Sequence, residues 1–200
     1  MKQERQAGQT TVCRFFSVCA QRRAEDHPEV KDMRYRLPED GDEAILRAYV
    51  QEHTDSGEAS VSASMGLRAS AYPDWAARMQ RNASEGDAQW GRSQLFLCLE
   101  GERLVGLLSV RYELPEALAG AIGHIGYGVR PGERRKGYAT AMLRHALSLC
   151  RESGMTRAIL GCYEDNIASI RTIEKCGGVL IGEGDGYQKG RISRYYAIML

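Results

Sequence analysis

With 200 residues, 43% apolar and 26% charged, the chain has an ordinary folded domain's composition and the length to bury one substantial core. A formal net charge of +1 supplies no electrostatic drive toward nucleic acid or an anionic membrane surface. No apolar run approaches the roughly 20 residues that a membrane span requires. A cytoplasmic protein without nucleic-acid or membrane partners is therefore expected.

Residues 1–32 are mixed in charge. Their one apolar patch, Val12 to Ala20, is broken by Arg14, which spoils a secretory signal. Arg5, Arg14, Arg22 and Arg23 would suit a mitochondrial presequence, but Glu4, Glu25 and Asp26 oppose it. The expected organisation is an N-terminal extension over 1–32, disordered or lying before the physiological start, and a single domain over 33–200. RNA binding through Phe15-Phe16 and Arg22-Arg23 finds no support in so small a net charge.

Met33 to Pro38 reads as a first strand. Glu43 to His53 carries Ile45, Leu46, Tyr49 and Val50 at helical spacing. Thr54 to Ser70, rich in Ser, Gly and Ala, predicts a loop. Pro73 to Arg81 predicts a short helix with proline in its first turn. A polar connection over 82–94 leads to a β-hairpin, Leu95–Leu99 and Leu104–Val110, around Glu100-Gly101-Glu102. A connection over 114–120 then leads to a strand, Ile122 to Val129.

A helix follows from Gly137 to about Arg151, with Ala139, Met142, Leu143, Ala146, Leu147 and Cys150 predicted on one face and Gly154 at its end. Ala158 to Tyr163 predicts a strand. Asp165 or Asn166 can cap a helix to Cys176, which Gly177-Gly178 stops. Val179–Ile181 and Ile192–Met199 are the last predicted strands, around a glycine-rich turn over 182–190. This order implies a mixed α/β sheet in one layer flanked by helices.

The six cysteines, Cys13, Cys19, Cys98, Cys150, Cys162 and Cys176, form no Cys-x-x-Cys pair, so reduced thiols and no metal are expected. The chemistry-bearing stretch is Arg134-Arg-Lys-Gly-Tyr-Ala-Thr140, between a strand and a helix. The first amides of a helix lack carbonyl partners, and its dipole places partial positive charge there. Gly137 and Ala139 allow close approach of a phosphate, and Arg134, Arg135 and Lys136 add charge. Gly126-x-Gly128 lacks the third glycine of a dinucleotide loop, and no Gly-Lys-Ser/Thr occurs.

The segment Arg134-x-x-Gly137-x-Ala139 resembles the acyl-CoA pyrophosphate loop of the GNAT superfamily of N-acetyltransferases. The resemblance extends over about 33–200. Its specific parts are His124-Ile-Gly-Tyr-Gly-Val-Arg-Pro, then Asn166-Ile-Ala-Ser169 and Ile173-Glu-Lys-Cys-Gly-Gly178. It looks closest to a branch of uncharacterised predicted acetyltransferases sharing the His-Ile-Gly-Tyr start.

This resemblance implies a mostly antiparallel central sheet with a V-shaped gap between the Val129 and Ala158 strands. It implies acetyl-CoA as co-substrate, without metal, and a primary amine of a small molecule, amino acid or peptide as acceptor. Backbone at Val129 would hold the pantetheine arm, amides from Arg134, Arg135, Lys136, Gly137, Tyr138, Ala139 and Thr140 the pyrophosphate, and Asn166 and Ser169 the arm again. Asn166 also reads as an ordinary helix cap.

The sequence departs from the family at Gly161, where some members carry a glutamate, at Ile173, where many carry a tyrosine, and at Gly178, where Phe is usual. His124 is the preferred general base, its ordinary pKa near 6.5 suiting the task. A half-buried histidine satisfying backbone groups is the competing reading. Glu113, Tyr127 and Tyr163 are further base candidates, and Tyr163 or Tyr138 a donor to sulfur. Arg111, Glu113, Tyr127, Arg194 and Tyr195 are expected around the acceptor. The alternative function is a non-catalytic acyl-CoA-binding sensor or regulatory module, and either is compatible with a monomer or homodimer.

Overall fold

The computed structural model describes residues 33–86, 91–115, 122–186, 188 and 190–200. The N-terminal extension therefore lies outside the described residues, as do parts of the expected connections over 82–94 and 114–120. The order is β1 (Met33–Arg36), α1 (Glu43–Asp55), α2 (Tyr72–Ser84), β2 (Ser93–Glu100), β3 (Arg103–Arg111), β4 (Ile125–Val129), α3 (Tyr138–Glu152), β5 (Arg157–Tyr163), α4 (Ile167–Lys175), β6 (Val179–Asp185) and β7 (Ile192–Met199).

Alternation along β2 sorts the core. Leu95, Leu97 and Leu99 face Leu46, Tyr49, Trp75 and Met79 of α1 and α2. Cys98 faces the opposite way, toward Met142, Leu143 and Ala146 of α3. Period-two side chains on a sheet covered by helices on both faces give this two-sided burial. Cys98, Cys150 and Cys162 are buried free thiols, and burial pushes all three thiols up.

Several boundaries differ from the sequence reading. α2 continues to Ser84, and β2 begins at Ser93. β6 runs to Asp185 through the expected turn, because Gly182 and Gly184 pair with Tyr195 and Ser193 of β7 and ladder bonds need no side chain. β4 starts at Ile125 instead of Ile122, because Gly123 has φ +74° and breaks the extended run. α3 buries Tyr138, with Met142 and its successors, whereas Ala139 is only partly covered.

The expected single layer is split. Strands pair β1-β2-β3-β4 in one sheet and β5-β7-β6 in the other, every ladder antiparallel. The two meet at a bridge between Gly123 and Leu160, where His124 N–H donates to Ile159 O at 2.7 Å and Gly161 N–H to Ile122 O at 3.3 Å. Beyond the bridge, β4 and β5 part. This is the expected V-shaped gap.

Candidate functional site

Arg130 N–H donates to Val105 O at 2.8 Å, and Gly106 opposes Val129 in the β3–β4 ladder. Antiparallel alternation then turns the N–H groups of Tyr127 and Val129 away from β3 and into the gap. Those N–H groups have no ladder partner and are open to a ligand, whereas Val129 O on the same edge accepts from Arg134 Nε at 3.3 Å. At the wide end stands the start of α3. Gly137, at φ +92°, is its N-cap, and Arg135 at φ +65° shares the left-handed conformation. The first intrahelical bond runs from Ala141 N–H to Gly137 O at 3.1 Å, so the amides of Tyr138, Ala139 and Thr140 precede it.

These residues open onto a groove of about 940 Å³. Of the residues expected to hold the cofactor, Val129, Arg134, Arg135, Gly137, Tyr138, Ala139, Thr140, Asn166 and Ser169 line it. Lys136 does not. Its Nζ turns to Glu133 Oε2 at 2.6 Å, and Arg103 Nε reaches the same carboxylate at 2.5 Å. The bond from Lys136 is the main reason the nearly buried Glu133 carboxyl sits below its usual range. Arg134 is also engaged, with Glu58, whose other oxygen lies 2.7 Å from Nδ1 of the buried His53. Burial opposes ionisation of Glu58, but bonds from His53 and Arg134 outweigh it and hold the carboxyl low. Arg135 has no carboxylate partner among the described residues.

The groove continues into a smaller chamber of about 210 Å³ between the parted strands. Ser62, Tyr127, Tyr163, Asn166 and Ser169 line both spaces and so mark their junction. Asn166 Oδ1 accepts from Ser169 N–H at 3.1 Å, capping α4, which meets the helix-cap reading while leaving the residue at the junction. Tyr127 OH lies 3.0 Å from Ser169 Oγ and ties β4 to α4 across the gap. Burial raises the Tyr127 hydroxyl well above its ordinary pKa, which favours its protonated form. Tyr163 carries the Arg191 guanidinium 3.6 Å from its ring centre.

His124 lines neither space. Its Nδ1 accepts from Ile159 N–H at 3.0 Å, and burial, with Arg157 and Arg111 nearby, lowers its pKa. The geometry is that of a histidine satisfying backbone at the sheet junction. Of the other expected acceptor residues, Arg111 and Tyr127 line the chamber. Glu113 stands 3.7 Å from Arg92, Arg194 Nε lies 2.8 Å from Glu183, and Tyr195 OH donates to Asp185 O, all outside it. The Tyr138 hydroxyl donates to Glu100 and is thereby committed.

The sequence reading missed Glu58, Ser62 and Ser193. The first two sit in an unpatterned Ser-rich loop, and no periodicity or motif marks them. The third is buried beside the expected Arg194, and strand alternation alone distinguishes the two faces. Among the described residues, no three His, Cys, Asp or Glu side chains gather closely enough to hold a metal ion. No helix among them is long and apolar enough to cross a membrane.

Solved structures share this architecture. The fold is similar to RimL, a ribosomal L7/L12 α-N-protein acetyltransferase in complex with coenzyme A, at 16% identity, covering 87% of this chain and 97% of that one, with a TM-score of 0.66. It is similar to Mycobacterium smegmatis RimJ in complex with CoA-disulfide, at 20% identity over 84% of this chain and 81% of that one, TM-score 0.65. The microcin C7 self-immunity acetyltransferase MccE, in complex with acetyl-CoA and AMP, matches at 15% identity over 85% and 93%, TM-score 0.62. No curated protein sequence matches significantly. The model of the acetyltransferase (GNAT) family matches residues 64–178, more than half the chain and a span that holds β4, α3 and β5, and the protein belongs to that family.

Proposed function

We propose that the protein transfers an acetyl group from acetyl-CoA to a primary amine. The observation that carries this is one continuous path. The bare amides of α3 open on the groove, the groove follows the unpaired edge of β4, and it ends in a chamber closed by β5. A diphosphate fits the helix start, where dipole and amides favour an anion. An extended pantetheine arm fits the free strand edge, as an added strand would. The thioester then falls near the junction, where a backbone N–H of the free β4 edge, at Val129 or Tyr127, can polarise its carbonyl.

In the transfer, the neutral amine nitrogen attacks the carbonyl carbon and forms the C–N bond. The C–S bond breaks, the thiolate takes up a proton, and the amine nitrogen gives one to water. Holding the two reactants aligned accounts for several kcal/mol of the acceleration. Tyr163, at the junction, is the proposed proton donor to sulfur. Tyr163→Phe is expected to lower kcat about a hundredfold with unchanged acetyl-CoA affinity, whereas His124→Ala is expected to lower the melting temperature without moving the pH profile of kcat/KM.

The test of the function itself is calorimetry with acetyl-CoA, followed by thiol release against a panel of amines. Binding with thiol release for at least one amine supports the proposal. Tight binding without release for any amine would make the protein an acyl-CoA sensor, and no binding would end both readings.

A further inference from the structure

The chamber beyond the thioester position has two unlike walls, and strand alternation builds them. On β4 and β5, Ile125, Leu160 and Cys162 point into the core beneath α3 and α4, where Ile173 meets them. The opposite wall carries Ser109, Arg111 and Ser193, with Ser62 from the loop over Gly128. Ser109 opposes Gly126 in the β3–β4 ladder and Ser193 opposes Tyr163 in the β5–β7 ladder, which turns both away from α3. Both walls border the same space of about 210 Å³. The bridge between Gly123 and Leu160 shuts it at one end, two residues from Ile125, and there Arg111 Nη1 is engaged with Gly123 O at 3.4 Å.

We infer that the apolar wall is an acyl pocket and that the protein accepts short-chain donors, propionyl- and butyryl-CoA as well as acetyl-CoA, with the amine entering along the hydroxyl-lined wall. This rests on the acetyl-transfer reading of the same site. An apolar cavity of about 150 Å³ holds a benzene ring, so the chamber exceeds what the methyl of an acetyl group fills. Gly126 and Gly161, one on each parted strand, contribute no side chain to its lining. Water against Ile125, Leu160 and Ile173 finds no hydrogen-bond partner in those side chains, and methylenes displace it at no loss. Tail and amine then meet at the thioester from opposite walls, which leaves each its own space. The bond changes are those of acetyl transfer. The amine nitrogen bonds to the carbonyl carbon and gives one proton to water, while the C–S bond breaks and the thiolate takes up a proton. The added carbons only pack.

The test is calorimetry with acetyl-, propionyl-, butyryl- and decanoyl-CoA, which needs no acceptor. Affinity is expected to rise about fourfold with each added methylene as far as butyryl-CoA. Decanoyl-CoA should bind no tighter than butyryl-CoA, because the bridge closes the space. Ile125→Phe, which fills the closed end, should lower the butyryl-to-acetyl affinity ratio by at least about fivefold. Should that variant fail to fold, Cys162→Leu narrows the same wall and carries the same expectation. Thiol release should follow for propionyl- and butyryl-CoA with any amine that accepts from acetyl-CoA. Equal affinity along the series, loss of binding at propionyl-CoA, tighter binding of decanoyl-CoA, an unchanged ratio in a folded narrowed variant, or no turnover of butyryl-CoA would overturn the acyl pocket while acetyl-CoA binding stands. Failure of the parent protein to bind acetyl-CoA would instead overturn the transfer reading, and the acyl pocket with it.

Discussion

Ala139→Asp is expected to weaken acetyl-CoA binding by at least about a hundredfold while leaving the fold as stable as before, a separation calorimetry and thermal melting can measure on one sample. The residue occupies the first turn of α3 and lines the groove, so a carboxylate there meets open space. For the helix an acidic residue in that turn is favourable, contributing about 0.3–1 kcal/mol through the dipole, which offsets the poorer propensity of Asp. For a diphosphate it is a like charge at close range, where a pair about 4 Å apart interacts by roughly 4 kcal/mol at the effective dielectric near a protein surface. Ala139→Ser is the neutral control and should bind normally. Normal binding by Ala139→Asp would place the diphosphate away from α3 and remove the basis of the proposed function.

Gly123→Ala should be the most destabilising of the conservative changes. Its φ of +74° is a conformation that a side chain strains, at about 1–3 kcal/mol. The added methyl would also run into the carbonyl oxygen of Ile159 and lie 3.0 Å from Leu160 Cα, at the bridge joining the two sheets. Backbone cannot swing aside there without giving up the bond from His124 N–H to Ile159 O. A loss of about 3 kcal/mol follows, or roughly 10 °C in melting temperature for a domain of this size. Gly154→Ala isolates the conformational part, since that glycine has φ +82° and nothing within 4 Å. Equal effects at the two positions would show that the bridge tolerates the crowding.

The lining of the groove at the start of α3 was legible in the sequence because its determinants are local. Gly137, Ala139 and the strand-turn-helix order are neighbours in the chain, and the proposed contacts are made by backbone amides, which the flanking side chains do not alter. Lys136 shows the limit of the argument. It belongs to the same heptapeptide, yet Glu133 three residues earlier draws it out of the groove. The acceptor half depends on pairings between distant segments. Nothing in His124 itself tells that Ile159 N–H will occupy its Nδ1, and nothing in Ser62 tells that its loop folds over Gly128. The departures at Ile173 and Gly178 do acquire an explanation. A side chain at 178 would collide with the branched side chain of Ile173 and come within 2.9 Å of its carbonyl, so the two positions fit one another. Strand limits failed where glycines intervene, wrongly extending β4 back past Gly123 and ending β6 at Ile181, before Gly182, since backbone conformation, not hydropathy, sets both.

Arg134 held by Glu58 and Lys136 held by Glu133 have one more outcome. Two of the three cations in the heptapeptide are already paired within the protein, so at the proposed site an arriving diphosphate would be met chiefly by peptide dipoles and Arg135. Fixed dipoles at contact distance are little affected by dissolved salt, whereas attraction between separated ions fades beyond roughly 10 Å at 0.1 M ionic strength. Capture of the nucleotide should therefore persist in concentrated buffer, where a merely basic surface would let it go.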